Sequence, residues 1–170
     1  VMNDISNTAL VTLKCHIQDA WKHDSILNDK SSLKTLEYLN TVLNENDKKI
    51  LNNRVKNNLV MHTALRAKKF DDYAIQFLQK NPEAAIVNIG CGLDHRFERI
   101  DNGKCFFIDL DFQDIMNIKQ NLFPTTSRYK QIGQSVFDFS WFDQLPDSPV
   151  LLLAEGVFMY CRESDVKDLF

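Results

Sequence analysis

The 170-residue sequence has no apolar run approaching the roughly 20 residues of a membrane span. It has no block of basic residues either: 20 Lys and Arg stand against 23 Asp and Glu, for a net charge of −3. Non-specific nucleic-acid binding needs a clustered positive surface, so no nucleic-acid partner is expected. The N-terminus lacks a basic segment followed by a hydrophobic stretch, so no signal peptide is expected. Cys15, Cys91, Cys105 and Cys161 form no C-x-x-C pair and read as reduced thiols of a cytoplasmic protein. His16, His23, His62 and His95 share no ligand spacing, so no metal site is expected. Repeats and low-complexity tracts are absent. The composition, 44% hydrophobic and 25% charged, is that of an ordinary globular domain large enough for a core.

What is present concentrates in residues 84–111. Ile86–Ile89 and Phe106–Ile108 are short, β-rich apolar runs bounded by breakers, as strands of a covered parallel sheet should be. Between them stand Gly90 and Gly92, which permit a sharp turn and leave no Cβ in the way of a ligand. Asp109 follows Gly90 by 19 residues, about the spacing at which a Rossmann-like unit offers an acid to a ribose diol. A third glycine, needed to pack helix and strand over a pyrophosphate, is missing. Asp94 and His95 stand in its place, and an acid there would repel a pyrophosphate. A nicotinamide dinucleotide is therefore disfavoured, and a nucleoside cofactor without phosphates, such as S-adenosylmethionine, fits better. Cys91 in the turn reads as a small filler rather than a nucleophile.

Residues 1–80 read as helical throughout. Asn7 or Thr8 can cap a helix with Leu10, Leu13, Ile17 and Trp21 on one face. Ser31 or Ser32 can cap a second, carrying Leu33, Leu36 and Leu39. Leu51, Val55, Leu59, Met61, Leu65, Phe70, Ile75 and Leu78 recur at helical spacings, as two helices or as one bent near Lys68–Asp72. Asn81-Pro82 ends this region. Alternation follows: strands over 85–90, 105–109, 128–132 and 150–154, with helices from about 94 and over 112–122. The expected fold is α/β, a Rossmann-like parallel sheet with flanking helices, preceded by an N-terminal helical region. Gly90, Asp109, Ser135 and Glu155 each fall at or just past the C-terminal end of an expected strand, where such sheets bind ligands.

Asp109 can accept from both ribose hydroxyls, or it can cap the next helix; Asp111 reads as a cap by default. Glu155 follows an apolar strand, where a carboxylate is costly unless paired. Its partner is either a cofactor ammonium or a structural arginine. Phe137, Phe139, Trp141 and Phe142 read as core residues under the sheet.

The string Val87-Asn-Ile-Gly-Cys-Gly-Leu-Asp-His-Arg-Phe-Glu-Arg99 resembles the V-N-L-G-x-G-L-D-T-R-x-x-R segment of the family that holds leucine carboxyl methyltransferase and the tetracenomycin-type polyketide O-methyltransferases. Further segments match in order: Thr8–Leu13 with Ile26–Asp29, Arg66–Asp72, Ser135–Trp141 and Ala154–Tyr160. The resemblance covers nearly the whole chain. It implies an S-adenosylmethionine-dependent O-methyltransferase acting on a small-molecule hydroxyl or carboxyl group, or on a peptide carboxyl terminus. Residues 1–80 would form a helical cap and 81–170 the cofactor domain. Arg66 would hold the methionine carboxylate, Gly90 and Gly92 the turn, Asp109 the ribose, Ser135 and Val136 the adenine, and Glu155 the ammonium. Asp138 could serve beside the adenine, and Met159 and Tyr160 could face the acceptor. No catalytic base stands out. Asn88 stands where many methyltransferases carry an acid, although asparagine is common in this family; His95, Lys14, His16 and Ile17 depart from the family, which bears on the acceptor more than on the cofactor. Members continue well past Tyr160 into a seven-stranded sheet, so a fragment of a longer protein is expected, with the apolar strand 150–154 as an exposed edge that invites oligomerisation. The alternative is a truncated or degenerate cofactor-binding module without methyl transfer.

Overall fold

The computed structural model describes residues 7–169. Four helices come first: α1 (Asn7–Ala20), α2 (Lys30–Val42), α3 (Glu45–Asn52) and α4 (Asn57–Lys80). Then come β1 (Ala85–Ile89), α5 (Arg96–Ile100), β2 (Phe106–Asp111), α6 (Gln113–Leu122), β3 (Tyr129–Gly133), a 3₁₀ turn (Phe139–Gln144), β4 (Val150–Ala154), a second 3₁₀ turn (Phe158–Tyr160) and α7 (Glu163–Leu169). The strands form one parallel sheet in the order β3-β2-β1-β4. The order reverses between β1 and β4, the topological switch point at which open α/β sheets bind ligands.

Alternation along the strands gives the sheet two covered faces. Ile86, Phe107, Tyr129 and Leu153 join Leu10, Leu13, Ile17, Leu39, Ala74 and Leu78 in the larger core, beneath the N-terminal helices. Val87, Ile89, Ile108, Leu110 and Ile132 face the other way, onto Val136 and Trp141. β4 has no strand on its outer side among the described residues, and Val150, Leu151 and Leu152 are only half-buried. None of the described helices is long and apolar enough to cross a membrane.

Several sequence expectations need correction. The α1 cap lies outside the described residues, and Thr8 is already helical. Trp21 follows the end of α1 and is 63% exposed, so it leaves the buried stripe. Asp29, not Ser31 or Ser32, caps α2: its carboxylate accepts from the Ser32 N–H and the Ser31 hydroxyl, leaving both serines inside the helix. The break between α3 and α4 falls at residues 53–56, and α4 runs unbroken through Lys68–Asp72. Its buried stripe is Val60, Thr63, Ala64, Ala67, Asp71, Ala74 and Leu78. These are mostly small residues that admit α1 closely, while Leu59, Met61 and Leu65 face outward. Of the four aromatic residues assigned to the core, Trp141 is fully buried and Phe137 half-buried; Phe139 and Phe142 are exposed. The 3₁₀ turn sends only the indole inward, where its N–H donates to the Val136 carbonyl at 2.9 Å.

The most consequential difference is the length of β2. It runs two residues beyond the expected end, so the carboxylate at the strand's C-terminus is Asp111 and Asp109 is interior. The capping roles considered for both acids also fall away. The N-cap of α6 is Phe112, with no side-chain cap bond.

Candidate cofactor site at the sheet edge

The strand register sets the polar residues in two levels on one sheet face. At the lower level, Asn88 pairs with Asp109 and Leu153, and Asp109 with Gln131. Two residues further, about 6.6 Å along the strands, Asp111 pairs with Gly133, while Gly90 and Glu155 directly follow β1 and β4.

Asp109 is fully buried. Its Oδ2 meets the Lys119 ammonium at 2.9 Å and accepts from the Tyr129 hydroxyl at 2.6 Å; its Oδ1 accepts from Asn88 Nδ2 at 3.0 Å. Burial would lower the Lys119 pKa, but the Asp109 charge overcomes it and raises it. Burial and the same carboxylate push the Tyr129 phenol up. Asp109 is thus committed to three protein donors below the edge. Asp111 differs: Oδ2 accepts from the Gly92 N–H at 2.7 Å and Oδ1 from the Phe112 N–H at 2.7 Å. Each oxygen keeps lone-pair capacity. Burial raises its pKa, only partly offset by those two N–H groups.

The glycine turn is built tightly. Gly90 and Gly92 both have positive φ, 61° and 54°. A Cβ on Gly90 would overlap the Val157 side chain, so this glycine accommodates the protein's own segment after β4. A Cβ on Gly92 would meet Ala9 only at ordinary contact distance, 3.7 Å. Gly90→Ala is therefore expected to destabilise by at least the roughly 1–3 kcal/mol of left-handed strain, read by denaturant unfolding. Gly92→Ala bears the strain without the overlap and is expected to fall below it.

Beside the turn lies a buried ion network. Arg66 Nε donates to Glu155 Oε1 at 2.8 Å, and Arg96 Nη2 donates to Glu155 Oε2 at 2.5 Å. Arg96 also reaches Asp71 at 2.7 Å and Asn88 Oδ1 at 2.9 Å. Arg99 grips Asp94 with both Nη atoms, at 2.7 and 3.0 Å, and Asp71 with Nε at 2.6 Å. Burial works against the Asp94 charge, but Arg99 and Arg96 hold its carboxyl well below the usual range. His16 bonds Asp29 at 2.9 Å and lies 3.7 Å from Asp94. This His16–Asp29–Asp94 group has the composition of a metal site, yet Arg99 Nη1 sits among its carboxylates, at 2.7 Å from Asp94 and 3.4 Å from Asp29. A guanidinium there disfavours a cation.

The structure thus brings Arg66 and Glu155 into contact, with Gly90, Gly92 and Asp111 on the adjoining strand ends. Glu155 has the arginine partners considered from the sequence, two of them. Ser135 turns inward on its own loop, its hydroxyl accepting from the Phe137 N–H at 3.2 Å. Val136 is 9% exposed and packs on Trp141. Asp138 caps the 3₁₀ turn through the Ser140 N–H. Met159 and Tyr160 are exposed, and next to them Phe158, Cys161, Glu163, Val166 and Lys167 line a cleft of about 470 Å³. His95, where the resembling family has threonine, stacks on Phe123 with ring centroids 3.8 Å apart. Burial and the Lys119 charge push its pKa down to about 4.

The profile of one family, Leucine carboxyl methyltransferase, matches residues 7–170. The chain belongs to the leucine carboxyl methyltransferase family. Among curated relatives of this member, the tetracenomycin polyketide synthesis O-methyltransferase TcmP of Streptomyces glaucescens is 37% identical over 106 residues, covering 61% of this chain and 39% of the relative. The S-adenosyl-L-methionine-dependent methyltransferase dpfgK of Gibberella zeae is 28% identical over 181 residues, 95% of this chain and 58% of the relative. The chain therefore spans about two-fifths to three-fifths of the relatives it matches.

Three residues of this family member's candidate edge site are not assigned to it in the sequence analysis. Asp111 was legible as the second acid of an Asp-x-Asp pair, which period 2 places on one face. Asp71 and Arg96 lie in resembling segments, but nothing local announces their pairing, which spans 25 positions.

Proposed function

We propose that this chain is the cofactor-binding part of an S-adenosylmethionine-dependent O-methyltransferase acting on a small-molecule hydroxyl or carboxyl group. The observation that carries the reading is the Asp111 carboxylate, at the C-terminal end of β2, tied to the Gly92 N–H and retaining capacity for a ribose diol. Asp111, rather than Asp109, is the ribose acceptor in this proposal, because Asp109 is occupied one level below.

The opposite end of the edge suits a zwitterion. The Arg66 Nη atoms have no hydrogen-bond partner among the described residues, and Nε is anchored on Glu155. The Nη pair can take a methionine carboxylate in a two-pronged bond. Around it, four carboxylates (Asp29, Asp71, Asp94, Glu155) face three guanidiniums (Arg66, Arg96, Arg99). Apart from His16, the cluster carries one net negative charge, and the Glu155 carboxylate within it is where a ligand ammonium would sit. A pyrophosphate would meet Asp94 and Asp111 instead and be repelled. The Ser135–Val136 loop would lie on the adenine side, with Val136 acting through its packing on Trp141. When bound, S-adenosylmethionine supplies an electrophilic methyl group. The protein's part is to fix the cofactor's two ends and hold an acceptor oxygen in line with the methyl group, which is catalysis by positioning. A carboxylate acceptor needs no general base. The four free cysteines suit a cytoplasmic enzyme.

The test is calorimetric titration with S-adenosylhomocysteine and, separately, NAD. Micromolar binding of the first alone supports the proposal; binding of NAD alone overturns it. The pH dependence follows from Asp111. Its pKa in the free protein is raised, and ribose recognition uses the ionised form. Affinity is expected to fall, approaching tenfold per pH unit, as pH drops through a value above the ordinary aspartate pKa. An Asp111→Asn variant is expected to lose that dependence.

A further inference from the structure

We infer that Arg96 is a positioning residue for the cofactor's amino-acid end, fixing Glu155 so that Oε1 alone faces the ligand. This inference rests on the proposed reading of the edge site. Arg96 is 1% exposed, so it does not touch solvent or a ligand in the open edge. Its three donor nitrogens serve three elements: Nε bonds Asp71 on α4, Nη1 bonds Asn88 on β1, and Nη2 bonds Glu155 after β4. Asp71 is itself held from the far side by Arg99, at 2.6 Å, and Arg99 by Asp94 beside the glycine turn. Glu155 Oε2 is thereby consumed inside the protein, and Oε1 is left on the Arg66 side.

The planar fork carries its donors on three separate nitrogens, one per acceptor here; a lysine ammonium carries the charge on a single nitrogen without that geometry. The guanidinium also joins β1 to β4 across the switch point, where these two strands bracket the proposed ligand. Arg96 thus links the sheet's central strands to the orientation of one carboxylate, and acts on the ligand only through it.

The test compares two ligands. S-adenosylhomocysteine has the amino-acid end; 5′-methylthioadenosine keeps the adenosine and lacks that end. Arg96→Lys is expected to weaken S-adenosylhomocysteine by roughly 10- to 150-fold, the loss of one hydrogen bond to a charged group, with 5′-methylthioadenosine unchanged within about twofold. In a Glu155→Gln background, Arg96→Lys is expected to add no further loss. Should Arg96→Lys fail to fold, the charge-balanced pair Arg96→Gln with Asp71→Asn is expected to show the same ligand-selective loss. A variant that weakens both ligands alike, or neither, overturns the inference while leaving the cofactor reading intact. Wild-type protein that binds neither ligand overturns the cofactor reading, and this inference with it.

Discussion

Replacing Asp109 by alanine is expected to destabilise the protein by about 3–5 kcal/mol, the range seen when one partner of a buried ion pair is removed. The carboxylate is fully buried and answers the Lys119 ammonium at 2.9 Å, which is equally buried. Without it Lys119 keeps the Asp94 carbonyl oxygen and the face of the Phe123 ring, neither of which balances its charge, and the Tyr129 hydroxyl and Asn88 amide each lose an acceptor. These groups join α6, β3, β2 and β1, so the loss falls on the sheet as a whole. Asp109→Asn keeps the shape but leaves Lys119 uncompensated, and is expected to destabilise as well. Urea unfolding at neutral pH measures both. If Asp109→Ala unfolds at the wild-type midpoint, this acid does not bind the sheet together. A variant of full stability that fails only in ligand binding would restore Asp109 as the ribose acceptor.

Asp111→Asn is expected to do the reverse, leaving stability near wild type and weakening S-adenosylhomocysteine by roughly 10- to 150-fold. A hydrogen bond to a charged group contributes about 1.5–3 kcal/mol, which converts to that range. The amide keeps one acceptor oxygen, enough for one of the Gly92 and Phe112 N–H groups but not for a diol as well. The two aspartates thus give opposite signatures in the same pair of measurements, although only Leu110 separates them. Equal effects of the two substitutions on binding at unchanged stability would contradict the assignment of roles.

The sheet was legible because Ile86–Ile89, Phe106–Ile108 and Val150–Ala154 are short apolar runs between breakers; β1 and β2 are buried on both faces and β4 is half-buried. Where β2 stops was not legible. The segment Ile108-Asp109-Leu110-Asp111 alternates, and a first acid after an apolar run looks like an edge. What keeps Asp109 inside is its set of partners, Lys119 on α6 and Tyr129 on β3, ten and twenty positions away. Partner choice at that range is a property of the fold, not of local pattern. The same holds for Glu155: the cost of a carboxylate after an apolar strand announces that a cation is near, but not that two arginines, from α4 and α5, supply it. Arg66, Gly90, Gly92 and Glu155 stand in the resembling segments, and the structure places them together at the sheet edge, with Arg66 on Glu155. The Ser135–Val136 loop shows the limit of that approach. The Ser135 hydroxyl serves the loop's own hydrogen bonding, and the Val136 carbonyl accepts from the Trp141 indole, which no motif records. Trp21, Phe139 and Phe142 depart from the expected core for a simpler reason: apolar character does not imply burial, and large apolar side chains are common on surfaces.

The most direct measurement is a crystal structure of the protein with S-adenosylhomocysteine. The account predicts ribose hydroxyls within hydrogen-bond distance of Asp111, the amino-acid carboxylate on the Arg66 Nη atoms, and Asp109 still paired with Lys119. A ribose held by Asp109 with Lys119 displaced, or a ligand bound away from the β1–β4 switch point, would contradict it.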